Sequence, residues 1–248
     1  MNLEVIVNSI PALLEGAGLT IQLTVLSVLI GLACSVPIAL IRVSRNPLLW
    51  APAYGYIFFF RGTPLLAQIY LVYYGSGQFV DTLKSVGLWH LFREAYFCAV
   101  LTLTLNTAAY TAEILRGAIM AVPKGEIEAA RACGMSRALL YRRIILPKAF
   151  RLALPAYGNE VVFLFQATSL VSLITLMDIT GVARVIAARS FAIYELYIAA
   201  AAIYLVITYG ILFVFKKVEF RMMSHLRQRP DAAAVVTGGD EPTAIAPR

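Results

Sequence analysis

The sequence predicts an all-α membrane protein with five transmembrane helices and its N-terminus outside. Three observations lead there. The 248-residue chain is 60% hydrophobic and only 14% charged, and its apolar residues gather into windows of about 20, the length a helix needs to cross a bilayer core. Those windows are continuously apolar and do not alternate, which excludes an outer-membrane barrel and leaves helices, whose backbone groups pair internally. Lys and Arg are lopsided: with the N-terminus outside, 16 of the 21 fall in inside segments, 4 in outside segments, and Arg61 lies within a span, a strong bias for short loops. That placement also explains the net charge of +7 without invoking nucleic acid.

The elements follow in order. Residues 1–20, "MNLEVIVNSIPALLEGAGLT", lack a basic leader and a small-residue cleavage site, so no removed signal peptide is expected. Pro11 and the glycines Gly16 and Gly18 predict a short interfacial helix that breaks before the first span. The five spans are read as 17–41, 50–74, 94–115, 153–176 and 195–215. Domain organisation is one transmembrane unit over 1–229, with a cytoplasmic loop at about 120–148, then a disordered cytoplasmic tail over 230–248 rich in Ala, Gly, Pro and Thr. Asn2 and Gly77 are expected outside, Gly134 and His225 inside. Cys34, Cys98 and Cys133 show no CxxC spacing and read as reduced packing residues.

The cytoplasmic loop is the most charged part of the chain. "EIEAARAC" reads as a helix that ends at Gly134, a residue free to adopt the left-handed cap. Ser136 caps a second helix, which Pro147 ends or kinks. Ala129 and Ala130 leave a flat patch beside Glu128, suited to another protein's groove. The bland alternative is an in-plane amphipathic segment whose Arg137, Arg142 and Arg143 hold anionic headgroups.

At these residues the chain resembles a known family. Glu128-Ala129-Ala130, three residues, Gly134, nine residues, then Ile144-Ile145-Leu146-Pro147 is similar to the EAA loop of binding-protein-dependent ABC importer permeases. "FRGTPLLAQIYLVYYG" and "LNTAAYTAEILRGAI" resemble the polar amino-acid branch, the histidine and glutamine permease type. "LPAYGNEVVFLFQATSLVSLITLMD" resembles the M-type subunit for histidine, lysine, arginine and ornithine, or its opine relatives. The resemblance implies a type I importer permease fold in the inner membrane. It also implies that Glu128, Ala129, Ala130, Gly134, Leu146 and Pro147 couple to the ATPase. The implied partners are a homologous permease (a heterodimer), two cytoplasmic ATPases and a periplasmic solute-binding protein.

No G-x-x-x-x-G-K-[ST] sequence occurs, so ATP is expected to be hydrolysed by partner chains and not by this one. No nucleophile–base pair, zinc spacing or Rossmann fingerprint is present, His90 and His225 lie apart in loops, and no cofactor or metal is expected. A stand-alone channel or secondary transporter is the rival reading; the chain shows no convincing internal repeat of the kind secondary transporters use. A scaffold that merely holds an ATPase is a third.

Polar residues within spans are costly and each needs a reason. Arg61 precedes Gly62-Thr63-Pro64, a sequence that must disturb the helix. Its guanidinium either binds carbonyls freed there or meets solute. Thr102, Asn106, Tyr110 and Glu113 share one helix face. Glu113 pairs locally with Arg116, and Asn106 either lines a path or glues helices. Glu160 has no basic neighbour within four positions, with Asn159 before it and Gln166 and Thr168 after. It pairs with a partner subunit, is protonated, or faces a wet cavity awaiting a cation. The cavity reading makes Glu160, Asn159, Asn106, Gln166 and Thr168 the candidate substrate path.

Overall fold

A computed structural model describes residues 3–44 and 46–223. Asn2, Arg45, His225 and the tail expected to be disordered over 230–248 lie outside the described residues. Among those described, regular structure is entirely helical. The helices are α1 (Leu3–Val43), α2 (Pro47–Gly62), α3 (Leu65–Tyr73), α4 (Val80–Ser85), α5 (Trp89–Phe92), α6 (Ala95–Met120), α7 (Lys124–Ala132), α8 (Arg137–Leu140), α9 (Leu146–Ala167), α10 (Ile179–Ser190) and α11 (Ile193–Met223).

The centre is α6. Its small buried residues Ala99, Ala108, Ala109 and Ala112 let α1, α2, α3 and α9 approach closely. Buried side chains gather in three clusters along the bundle. At the loop end, Ala39, Ile57, Leu115, Ala130, Leu140 and Ala149 join α1, α2 and α6 to α7, α8 and α9. Leu23, Ile69, Leu103, Leu164 and Val171 form the middle. At the far end Leu13, Ala17, Ile179, Ala183 and Ala200 join α1, α10 and α11.

The expected break near the N-terminus does not occur: α1 runs unbroken through Pro11, Gly16 and Gly18. Tertiary contact overrides the local signals. A Cβ on Gly16 would lie 2.9 Å from the Asp178 carbonyl group, so this glycine serves helix contact and not helix termination. Leu13 and Ala17 are buried on the same side. Asp178 caps α10, accepting from the Gly181 and Thr180 amides at 2.9 and 3.1 Å, and Tyr204 of α11 donates to it at 3.0 Å.

Nor does the five-span count follow from helix length and composition. Three helices qualify, α1, α6 and α11, or four if Arg137–Ile174 and Ile179–Ser190, bent by 48°, form one broken span. The second window is interrupted at Thr63-Pro64, which leaves α2 and α3 each too short to cross alone. The fourth passes from α9 into a 3-10 turn over Thr168–Ile174. Of the cysteines only Cys98 is buried; Cys34 and Cys133 are exposed, and all are free.

Pro147 neither ends nor kinks the second loop helix. Tyr141–Ile145 form a π-turn, in which the Leu146 amide donates to the Tyr141 carbonyl five residues back. Pro147 then enters α9 within its first two positions. The chain from Arg137 onward is therefore one continuous helical rod.

Candidate functional site

The break between α2 and α3 begins with a missing donor. Pro64 has no N–H to offer the Phe60 carbonyl four residues back, and two buried side-chain amides supply it. Gln68 Nε2 donates to Phe60 O at 2.9 Å, Thr63 O at 3.1 Å and Thr63 Oγ1 at 2.8 Å. Asn106 Nδ2 of α6 donates to Phe60 O at 3.3 Å and to Gln68 Oε1 at 3.0 Å. Asn106 is thus held in a clamp that fixes the break against α6.

The clamp leaves Arg61 for other work. Its guanidinium lies 5.1 Å over the Tyr110 ring, a favourable cation–π distance, on the exposed side of α2. Farther along α6, Glu113 forms the expected ion pair with Arg116 and also lies 3.7 Å from Arg42 of α1. Arg42 lies 5.0 and 4.9 Å from the Trp50 and Tyr54 rings, which stack on each other. The face predicted from Thr102 to Glu113 accordingly turns toward α2 and α3, with Arg42 reaching its loop end.

Glu160 is half-buried on α9, and its Oε1 accepts a hydrogen bond from Thr107 Oγ1 of α6 at 3.2 Å. Arg61 is near enough to attract the carboxylate. Thr107 escaped sequence reasoning because a threonine in a span is unremarkable and its partner lies 53 residues away. Gly31 of α1 backs it: a Cβ there would come 2.5 Å from the Thr107 methyl.

The other candidate path residues do not converge on this point. Asn159 and Gln166 are exposed, seven residues apart, and share one face of α9 with Phe163. Thr168 is buried and donates to the Phe165 carbonyl at 2.6 Å. Glu160 therefore stands at the edge of an exposed strip carrying Asn159 and Gln166, while Asn106 and Thr168 have internal partners.

The loop has its own geometry. Gly134 takes φ +76° after α7, and Ser136 caps α8 by accepting from the Leu139 amide. Ala130 is buried while Glu128 and Ala129 are exposed, so α7 is anchored on one side and presents its flat patch on the other. Lys148 pairs with Glu126 and straps α7 to the start of α9. Ala129, Ala130 and Pro147 line a cleft of about 680 Å³ between them, with Leu146 packed behind.

Comparison with known proteins agrees over nearly the whole chain. Residues 27–224 match the family described as "Binding-protein-dependent transport system inner membrane component". The nopaline transport system permease protein NocM of Agrobacterium fabrum is 48% identical over 234 residues, 94% of this chain and 97% of that one. The octopine permease OccM of Rhizobium meliloti is 49% identical over 217 residues, 88% of each chain. The histidine/lysine/arginine/ornithine permease HisM of Escherichia coli is 42% identical over 213 residues, 86% of this chain and 89% of that one. A crystal structure of an amino acid ABC transporter with histidines matches with TM-score 0.78 and 35% identity, over 89% of this chain and 99% of that one. The methionine transporter MetNI, 19% identical with TM-score 0.70 over 87% of this chain and 98% of that one, shares the fold.

Proposed function

Because the chain belongs to the family of binding-protein-dependent transport system inner membrane components, a permease subunit of an ABC importer, we propose that it carries a basic amino acid or an opine. The observation that supports this cargo is a carboxylate, without an ion pair among the described residues, and a guanidinium close enough to feel each other's charge. Glu160, held by Thr107, offers an anion, and Arg61, lying over Tyr110, offers a cation. A solute with an α-carboxylate and a cationic group complements both: Arg61 takes the carboxylate common to all amino acids, and Glu160 selects the cationic end. In a poorly hydrated path such attraction is less screened than in water. The relatives that transport nopaline, octopine and basic amino acids support the same class.

In this reading the exposed strip of Asn159 and Gln166 lines a path shared with a second permease. That partner is a homologue, since an identical copy would bring a second Glu160 carboxylate to one site, where like charges oppose each other. An external binding protein delivers the solute. Partner ATPases hydrolyse ATP, and their closure is transmitted through Glu128, Ala129, Ala130 and Gly134 into the α9 rod, with Leu146 and Pro147 at its start. The loop faces the cytoplasm.

Glu160→Gln tests the cargo. It keeps shape and hydrogen bonding but removes the charge, so uptake of basic solutes into proteoliposomes should fall strongly while subunit stoichiometry is preserved. Near-wild-type uptake by an intact complex would refute the assignment. Disassembly would instead place a partner's buried cation against Glu160.

A further inference from the structure

A second cleft, of about 780 Å³, lies where the last turns of α1 and α6 meet α7 and α8. Its lining combines apolar side chains, among them Val43, Ile119 and Leu140, with the cations Lys124, Arg131 and Arg137. No carboxylate lines it. None of the three cations has a hydrogen bond or ion pair among the described residues, whereas nearby Lys148, Arg116 and Arg42 are all matched with glutamates. Three unanswered positive charges in a cleft otherwise lined largely by apolar side chains describe a ligand that is anionic at one end and hydrocarbon at the other.

The residues beside the cleft point to the kind of ligand. Trp50 stacks on Tyr54 at 5.0 Å beneath the Arg42 guanidinium, an aromatic and basic arrangement suited to the headgroup level. Leu48 is 83% exposed and Leu49 50% exposed in the first turn of α2, beside the lining residue Asn46, where acyl chains would shield them from water. We propose that this cleft binds an anionic phospholipid of the leaflet on the loop side. Its phosphate sits among Lys124, Arg131 and Arg137, and its first methylenes lie against Ile119 and Val43. Lys124 and Arg131 belong to α7 itself, so the lipid ties the coupling helix to the membrane surface, whatever solute the importer carries.

The test uses the whole importer in nanodiscs of phosphatidylcholine with or without phosphatidylglycerol. Native mass spectrometry counts the retained phosphatidylglycerol, and ATPase activity is read beside it. The wild type should retain phosphatidylglycerol in preference to phosphatidylcholine. The double variant Lys124→Gln/Arg137→Gln should bind it more weakly by about fivefold per cation removed. Lys124→Arg/Arg137→Lys and Arg142→Gln, which respectively keep the charge and lie outside the cleft lining, should retain it as the wild type does. Equal retention by wild type and the glutamine double variant would overturn the proposal, as would equal loss in Arg142→Gln. Dissociation of ATPase subunits from the double variant with its lipid unchanged would likewise overturn it, making these cations a protein-docking surface.

Discussion

Replacing Gln68 with leucine removes the centre of the clamp at the α2–α3 break while nearly conserving volume. Gln68 is 3% exposed, so water cannot take over its role. The change deletes its bonds to Phe60 O, Thr63 O and Thr63 Oγ1 and removes the acceptor for Asn106. Phe60 O then keeps only Asn106 at 3.3 Å. In soluble proteins each stranded buried group costs about 1–3 kcal/mol; within membranes an interhelical hydrogen bond averages about 0.6 kcal/mol. Four bonds at the membrane value and two stranded groups at the soluble value bracket the loss at about 2–6 kcal/mol. For a chain of this size that lowers Tm by roughly 5–25 °C, measured as loss of helical circular dichroism in detergent. The Gln68→Leu/Asn106→Leu double variant should lose less than the sum of the singles, because each single strands the other amide. An unchanged Tm in Gln68→Leu, or strictly additive losses, would refute the clamp.

Two further outcomes are expected. Gly31→Ala places a methyl against Thr107, and a hydrogen bond to a carboxylate is worth about 1.5 kcal/mol or more. Uptake of basic solutes should therefore fall roughly tenfold and recover in Gly31→Ala/Thr107→Ser, which lacks the obstructing methyl but keeps the hydroxyl; absence of rescue in a transport assay would count against Thr107 as the holder of Glu160. A Cβ at Gly134 meets nothing within 4 Å, and Asp tolerates the left-handed region better than most residues. Gly134→Asp should thus insert and fold, yet lose transport through detached or unstimulated ATPase; transport at wild-type level would show that the loop serves the lipid surface alone.

What could be read from sequence was local. The end of α7 at Gly134 and the Ser136 cap follow from single-residue chemistry, and the structure places them there. The ion pair of Glu113 with Arg116 is three residues long and equally visible. Distant partners were not legible. Gly16 reads as a breaker until Asp178, far along the chain, is seen against it. The sequence leaves Arg61 between the carbonyls freed by Pro64 and solute; the amides of Gln68 and, far along the chain, Asn106 take the Phe60 carbonyl. Thr107 gains meaning only from Glu160. Pro147 misled for a different reason: the π-turn before it leaves its ring within the opening of α9, an arrangement the residue pattern does not announce.

That π-turn has a consequence for azimuth. In an α-helix each residue advances the side chains by about 100°. The wider turn over Tyr141–Ile145 absorbs one residue without advancing the rod that follows. Deleting one residue there would close the π-turn to an ordinary α-turn and leave α9 in place, whereas deleting a further residue would rewind every side chain of α9 by about 100° relative to α7, swinging Glu160 off Thr107 and the strip of Asn159 and Gln166 round with it. The loop and the carboxylate are thus held in phase by the number of residues between them. A loop grafted from another permease could be one residue shorter at the π-turn, but no further change in that count would keep the phase, whatever the identity of its residues.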